Sequence, residues 1–163
     1  MRRTVLLGLV GTLALAVGVQ GLAGAAVAGW AGPLSRGQRL YVPVYSSVRL
    51  LEGRTMLNLA VTVSVRNTDA ARPIRVEAVR YFGNDGGERG DAFAAPGVLG
   101  PMASAEVVVR QSELGGDVGA NLVVEWRSDA PVSPPLVEAV MVGVSGTHGF
   151  AFASRAVVLD EWR

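Results

Sequence analysis

Residues 56–67, MLNLAVTVSVRN, alternate strictly: Leu57, Leu59, Val61, Val63 and Val65 fall on one side of an extended chain, and Asn58, Ala60, Thr62, Ser64 and Arg66 on the other. A period of two marks a strand with one buried and one wet face. It recurs in RLYVPVYS (39–46), where Leu40, Val42 and Val44 oppose Tyr41 and Tyr45, and in ANLVVEWRSD (120–129), where Leu122, Val124 and Trp126 oppose Asn121, Val123, Glu125 and Arg127. IRVEAVRYF (74–82), Ala105 to Arg110 and FAFASRAVVLD (150–160) read as further strands, and LVEAVMVGVS (136–145), apolar on nearly both faces, as a central one. Pro43 lacks an N–H to give a ladder, which predicts the first strand at a sheet edge. Asn67, Asp69 and Pro73 mark a turn after the second, and GNDGGERGD (83–91) a glycine-rich hairpin tip. About seven short strands with turns between them predict an all-β fold, an immunoglobulin-like antiparallel β-sandwich with Trp126 plugging the core.

The pattern is different before residue 29. Arg2 and Arg3 precede an uncharged run, Thr4 to Ala28, whose only strongly polar side chain is Gln20. A basic start, an apolar run and small residues make a secretory signal, and Ala23-Gly24-Ala25 and Ala26-Val27-Ala28 both fit the cleavage rule. The run is also long enough to stay as a membrane anchor, which needs about 20 apolar residues. Either way Arg2 and Arg3 hold the start inside, so the remainder is expected outside the cytoplasm, periplasmic or otherwise extracytoplasmic, secreted or anchored. The chain divides into a signal or anchor (1–28), a Gly/Pro/Ser linker (29–38) and the sandwich domain (39–163).

Charge removes several partners. All 15 basic residues are arginine; without Arg2 and Arg3, 13 of them face 14 carboxylates, a net charge of −1 with His148 neutral. No basic run remains to suit nucleic acid or an anionic membrane surface. There is no cysteine, hence no disulfide, thiolate metal site, cysteine nucleophile or lipidated cysteine.

The chemistry left to the side chains is sparse. His148, the only histidine, sits in SGTHGF, a turn between strands, with no second histidine to share a metal or a proton. Asp85, Glu88 and Asp91 lie among glycines but without the ligand spacing of a calcium loop. No serine sits in a nucleophile elbow, and no glycine loop leads into a lysine-bearing helix. Glu125, Arg127, Glu138 and Arg155 are the one group that neighbouring strands would gather. They make either a cross-strand ion-pair ladder, each pair worth roughly 0.2–1 kcal/mol, or a polar pocket with Glu138 as acid or base. Arginine beside a carboxylate favours its charged form, which weighs toward the ladder. Tyr41 and Tyr45, on one face of the expected edge strand, are the candidate partner contact, since aromatics are enriched at interfaces.

The segments YVPVYSSV (41–48), LNLAVTVSVRNTD (57–69), PIRVEAVRYF (73–82), GANLVVEWRSDAPVSPPLVEAVMVG (119–143) and FASRAVV (152–158) resemble, in order, a bacterial exported family known as the domain of unknown function numbered three-one-two-four. The likeness covers about residues 38 to 158. It implies export and a single domain, and it carries over no catalytic residues. Ala156 stands where the family's SRG pattern has glycine. The expectation is an exported, non-enzymatic module without cofactor or metal, binding another envelope protein or surface component, with residues 4–28 available for membrane attachment. The alternatives are a small-ligand-binding or hydrolytic protein using the Glu/Arg group, and a purely structural domain held at the membrane.

Overall fold

The computed structural model describes residues 32–89, 93–109 and 119–163; the apolar run 4–28 and Asp91 lie outside them. Among the described residues there is no helix. The strands are β1 (Ser35–Pro43), β2 (Ser47–Leu50), β3 (Thr55–Asn58), β4 (Ala60–Arg66), β5 (Ile74–Phe82), β6 (Gly97–Leu99), β7 (Ser104–Val109), β8 (Asn121–Val132), β9 (Leu136–Ser145), β10 (His148–Arg155) and β11 (Val157–Trp162). They form a first sheet in the order β11-β1-β8-β5-β6, a second in the order β10-β9-β4-β7, and a small β2-β3 hairpin. Every pairing is antiparallel. β4 pairs with β7 in one sheet while β5 pairs with β8 in the other. These four interlock the layers as in immunoglobulin-like sandwiches.

The period-two pattern decides what the layers enclose. Leu40 and Val42 of β1, Ile74, Val76, Val79 and Tyr81 of β5, and Leu122, Val124 and Trp126 of β8 face Val61, Val63 and Val65 of β4 and Val137, Ala139 and Met141 of β9 in one buried cluster. Trp126 is fully buried at the middle of the first sheet, and its indole N–H meets no acceptor among the described residues. With no disulfide, stability rests on this burial, each large side chain contributing about 1.5–3 kcal/mol before the entropy of ordering it. One glycine is dictated by the packing. A Cβ on Gly143 of β9 would stand 2.5 Å from Leu59 Cδ2 and 3.1 Å from the Asn58 carbonyl oxygen, so only a bare backbone lets the β3–β4 corner lie over this strand.

Several boundaries differ from those read along the chain. β1 is not an edge strand: it lies between β11 and β8. Pro43 is its last residue, beyond the final β11 pair Tyr41↔Val157, so the missing N–H takes nothing from that ladder. β1 also begins at Ser35 and so takes in the last four residues of the stretch read as linker, 35–38. The run 150–160 is two strands in different sheets. Ala156 N donates to Val137 O at 3.0 Å, and the chain crosses between layers there. The run 56–67 breaks at Leu59, whose N–H leaves the ladder for Ser46 O at 2.8 Å. The short strands β2 and β6 raise the count above seven.

One end of the sandwich is closed by the polar run that follows β4. Asn67 is buried, and its side-chain N–H groups donate to the carbonyls of Arg72 (2.8 Å), Gly100 (2.8 Å) and Leu99 (3.2 Å). Its Oδ1 accepts from Asp69 N at 3.0 Å. Thr68 Oγ1 donates to Pro134 O. The Asp69 carboxylate accepts from the N–H groups of Ala71, Arg72 and Ser133. Burial pushes the Asp69 carboxyl up, but the three amides and Arg72 outweigh it and hold the group below its ordinary value. Two loops distant in sequence, one at Leu99 and Gly100 and one at Ser133 and Pro134, are thus tied to one Asn-Thr-Asp run.

Candidate functional site

The outer face of the first sheet carries paired charge. On β8, Glu125 points outward between Arg39 of β1 (3.5 Å) and Arg80 of β5 (3.1 Å), and Arg39 reaches on to Asp160 of β11 (3.1 Å). One rung along, Arg127 lies 3.9 Å from Glu77 and stacks on Trp162, its guanidinium carbon 3.2 Å from a ring centre. Gly37 makes that stack fit: a Cβ there would meet Trp126 O at 2.6 Å, Arg127 Cδ at 2.7 Å and the Trp162 ring at 3.2 Å. Each exposed pair contributes at most about 1 kcal/mol. Cross-strand neighbours bring these charges together without any catalytic demand.

The structure does not gather the four charged residues marked in the sequence. Glu125 and Arg127 face outward from the first sheet. Glu138 and Arg155 oppose each other across β9 and β10 on the outer face of the second, joined at 3.1 Å. Two ion-pair systems face away from one another, and nothing concave holds all four. The tyrosines also part. Tyr41 stays on the outer face of the first sheet, in register with Val157 and Val123. Tyr45 lies beyond the end of β1 and packs edge-on against Phe152, ring centres 5.7 Å apart.

The sandwich is open along the side where β10 and β11 form the edges. Between them lies a crevice of about 450 Å³, walled by Leu40, Val137, Ala156 and Val158 with Arg155 at its rim. Its polar wall is Gln38, whose Nε2 donates to Glu161 Oε1 at 3.2 Å, and Glu161, bound also to Arg163 Nε at 3.0 Å. Arg163 first and Gln38 second hold the Glu161 carboxyl below its ordinary value. That carboxylate favours its charged form and already takes a donor on each oxygen, which suits holding β1 to β11 more than proton transfer. His148 opens β10 at an exposed hairpin end. Asp85 is claimed by Arg89 at 2.9 Å. Among the described residues no three metal-ligating side chains converge.

What the sequence reading missed is the outer face of the second sheet. Val140, Val142 and Val144 of β9 are 42%, 47% and 68% exposed, flanked by Ala60 and Thr62 of β4 and Ala151 and Ala153 of β10. Val108 of β7 extends the patch. Among the described residues, the charge on this face lies at one end, at Glu138, Arg155, Arg66 and Glu106. The signal was present: LVEAVMVGVS is apolar on both faces, which a buried central strand and a strand with a bare outer face share.

Comparison adds the family and little else. A crystal structure titled Thermotoga maritima 1070 is similar at a TM-score of 0.43 and 12% identity, over 77% of this chain and 94% of that one. No curated protein matches the chain. Residues 37–159, from the second residue past the start of β1 to the middle of β11, match the family described as "Protein of unknown function (DUF3124)", and the chain belongs to that family.

Proposed function

We propose that this protein is an exported, non-catalytic sandwich that works by binding another protein of the cell envelope, periplasmic or held at the membrane by its N-terminal segment. The observation that carries the reading is the contrast between the two outer faces. The first sheet carries ion pairs across the middle of its face and leaves Val157 and Val98 bare singly, at its opposite edges β11 and β6, whereas the second leaves Val140, Val142 and Val144 bare together in a patch of small apolar side chains. Soluble domains rarely leave large side chains bare in a contiguous apolar patch, and where they do the patch marks an interaction site. The partner that fits is a protein presenting a flat, uncharged, apolar surface: among the described residues the middle of the face carries valine, alanine and threonine side chains and no charge. Export is supported by Arg2-Arg3, the uncharged run to Ala28 and the two Ala-x-Ala sites. The paired carboxylates and the isolated His148 support a role without catalysis.

The test uses the full chain with a C-terminal epitope, expressed in its own host. It is expected in the envelope fraction and open to protease added outside the cytoplasmic membrane; recovery in the cytoplasm rejects export. Cross-linking in intact cells is expected to capture one protein that is lost with Val142→Arg and kept with Val98→Arg, a change on the exposed β6. Equal capture by Val142→Arg rejects the face.

A further inference from the structure

A β-sandwich of two open sheets has four edges, and three of these are guarded. β6 is three residues long with Pro96 before it and Gly100-Pro101 after it. β11 follows a register slip between Arg39 and Leu40 and carries Asp160 and Glu161. β7 carries Glu106 at its middle. Short length, proline, bulges and charge are how sheets stop their edges pairing with other chains.

β10 has none of these. Its eight residues keep unbroken register with β9 from His148↔Ser145 to Arg155↔Glu138. At about 3.4 Å per residue that is an edge of about 27 Å. It contains no proline, and its one charged side chain is the last residue, Arg155, held by Glu138. All but Ser154 are exposed. Phe150 and Phe152 are on the side that faces the other sheet, yet each is 38% exposed. β11, the edge strand opposite, continues from the other end of β10 through Ala156, and Tyr45 is the aromatic that reaches Phe152.

We infer that β10 is a self-recognition edge, pairing antiparallel with β10 of a second copy so that two four-stranded sheets become one of eight. The sequence of the strand suits a twofold axis. Opposed residues in an antiparallel pair share a face, so with the axis on Ala151, Phe150 meets the second copy's Phe152 and each fills the gap beside the other's sheet. Gly149 meets Ala153, and Arg155 meets Thr147, so no like charges oppose. A strand pair with two aromatic contacts lies at the small end of specific interfaces, which makes the dimer concentration-dependent. This goes beyond the partner-binding face proposed above, because it uses the strand's free backbone and not the valine patch.

The chain lacks cysteine, which makes the test direct. Single cysteines are placed at residues 149 to 153 in turn in the full-length protein, with Val98→Cys on β6 as control, and membranes or whole cells are mildly oxidised. Only the residue on a twofold axis lies opposite itself, at about 4.5–5.5 Å between Cβ atoms, close enough for a disulfide after small adjustment. One position is expected to give a band of twice the chain's mass while its neighbours and the control do not. Ala151→Lys, which sets like charges near the axis, is expected to weaken dimerisation at least about tenfold by light scattering, with an unchanged circular-dichroism spectrum. No position above the control, or cross-links only to a protein of different mass, overturns the inference. Val142→Arg is expected to leave the doubled band in place, so loss of the partner face and loss of the dimer are separately readable.

Discussion

Replacing Asn67 with alanine tests whether the closed end of the sandwich depends on one side chain. The amide is 2% exposed, donates to three carbonyls at 2.8–3.2 Å and accepts one N–H. Its two N–H groups give two good bonds, to Arg72 O and Gly100 O, with Leu99 O sharing one of them at longer range. Each bond contributes about 0.5–1.5 kcal/mol net, and each carbonyl left buried without a donor costs about 1–3 kcal/mol. Loss of the whole set therefore destabilises by about 3 kcal/mol, with a range of about 2–5, against a total of about 5–15 kcal/mol for a domain. Urea unfolding followed by tryptophan fluorescence is the assay. With a slope of about 1–3 kcal/mol per molar, the midpoint is expected to fall by about 1–3 M at unchanged slope. Asn67→Asp separates donor chemistry from shape: it keeps the size but turns an acceptor toward three carbonyls, so it is expected to be at least as damaging as alanine. Asn58→Ala, on the exposed β3, is expected within about 0.5 kcal/mol of wild type. If Asn67→Ala also falls within about 0.5 kcal/mol, or Asn67→Asp is tolerated, the side chain is not the tie described.

Three other outcomes follow from the same structure. Gly37→Ala puts a methyl 2.6 Å from a backbone oxygen of Trp126, which must displace a central strand; a loss of about 1–3 kcal/mol is expected, as for overpacking, together with a red-shifted emission as Trp162 leaves Arg127, and an unmoved spectrum and midpoint would contradict the stack. Met102 has φ +58 at the third position of the Gly100–Pro101–Met102–Ala103 turn, which Ala103 N closes on Gly100 O; Met102→Gly is expected to stabilise by about 0.5–1 kcal/mol, the left-handed penalty less the entropy of glycine, and no gain in thermal midpoint would deny the strain. Asp69, Asp85 and Glu161 are all held below their ordinary values, so the folded state binds protons less readily than the unfolded chain. Their stabilisation is complete above the ordinary carboxylate values of 3.8 and 4.5 and is lost as pH falls through the lower folded values. Stability is expected to be level near neutrality and to drop below about pH 4, less steeply in Asp69→Asn, and an equal slope in both would remove Asp69 from the account.

What could be read from the chain depended on how far each interaction reaches. Alternation at Leu57 to Val65 and at Leu122 to Trp126 is a local signal, and it placed both the strands and their buried faces. Pairing is not local. Nothing in FAFASRAVVLD says that its two halves belong to different sheets, because both are apolar and the crossing at Ala156 is held by a carbonyl nineteen residues away, on Val137. The same limit separated the four charged residues. Glu125 and Arg127 share a face by alternation, as do Glu138 and Arg155 across a hairpin, but only the sheet order shows those faces pointing apart. Asn67 and Asp69 read as a turn from their types, while their hold on Leu99, Gly100 and Ser133 needed the fold.

The two outer faces show why polarity in the sequence was a poor guide to the surfaces proposed as interfaces. Alternation predicts a wet face wherever polar residues take every second position, and the first sheet obeys it: Arg39, Glu125 and Arg80 satisfy one another and leave little for a partner. The second sheet breaks the rule in β9, with Val140, Val142 and Val144 at the wet positions, and again at its edge, where β10 offers backbone without a guarding charge. A domain that has to hold together on burial alone, lacking any disulfide, would gain solubility from threonine or glutamate at those valines at little cost to its core. Bare valines on a central strand and a bare strand beside them oppose solubility together, and the two proposed interfaces, a partner over the valines and a second copy along β10, would account for both.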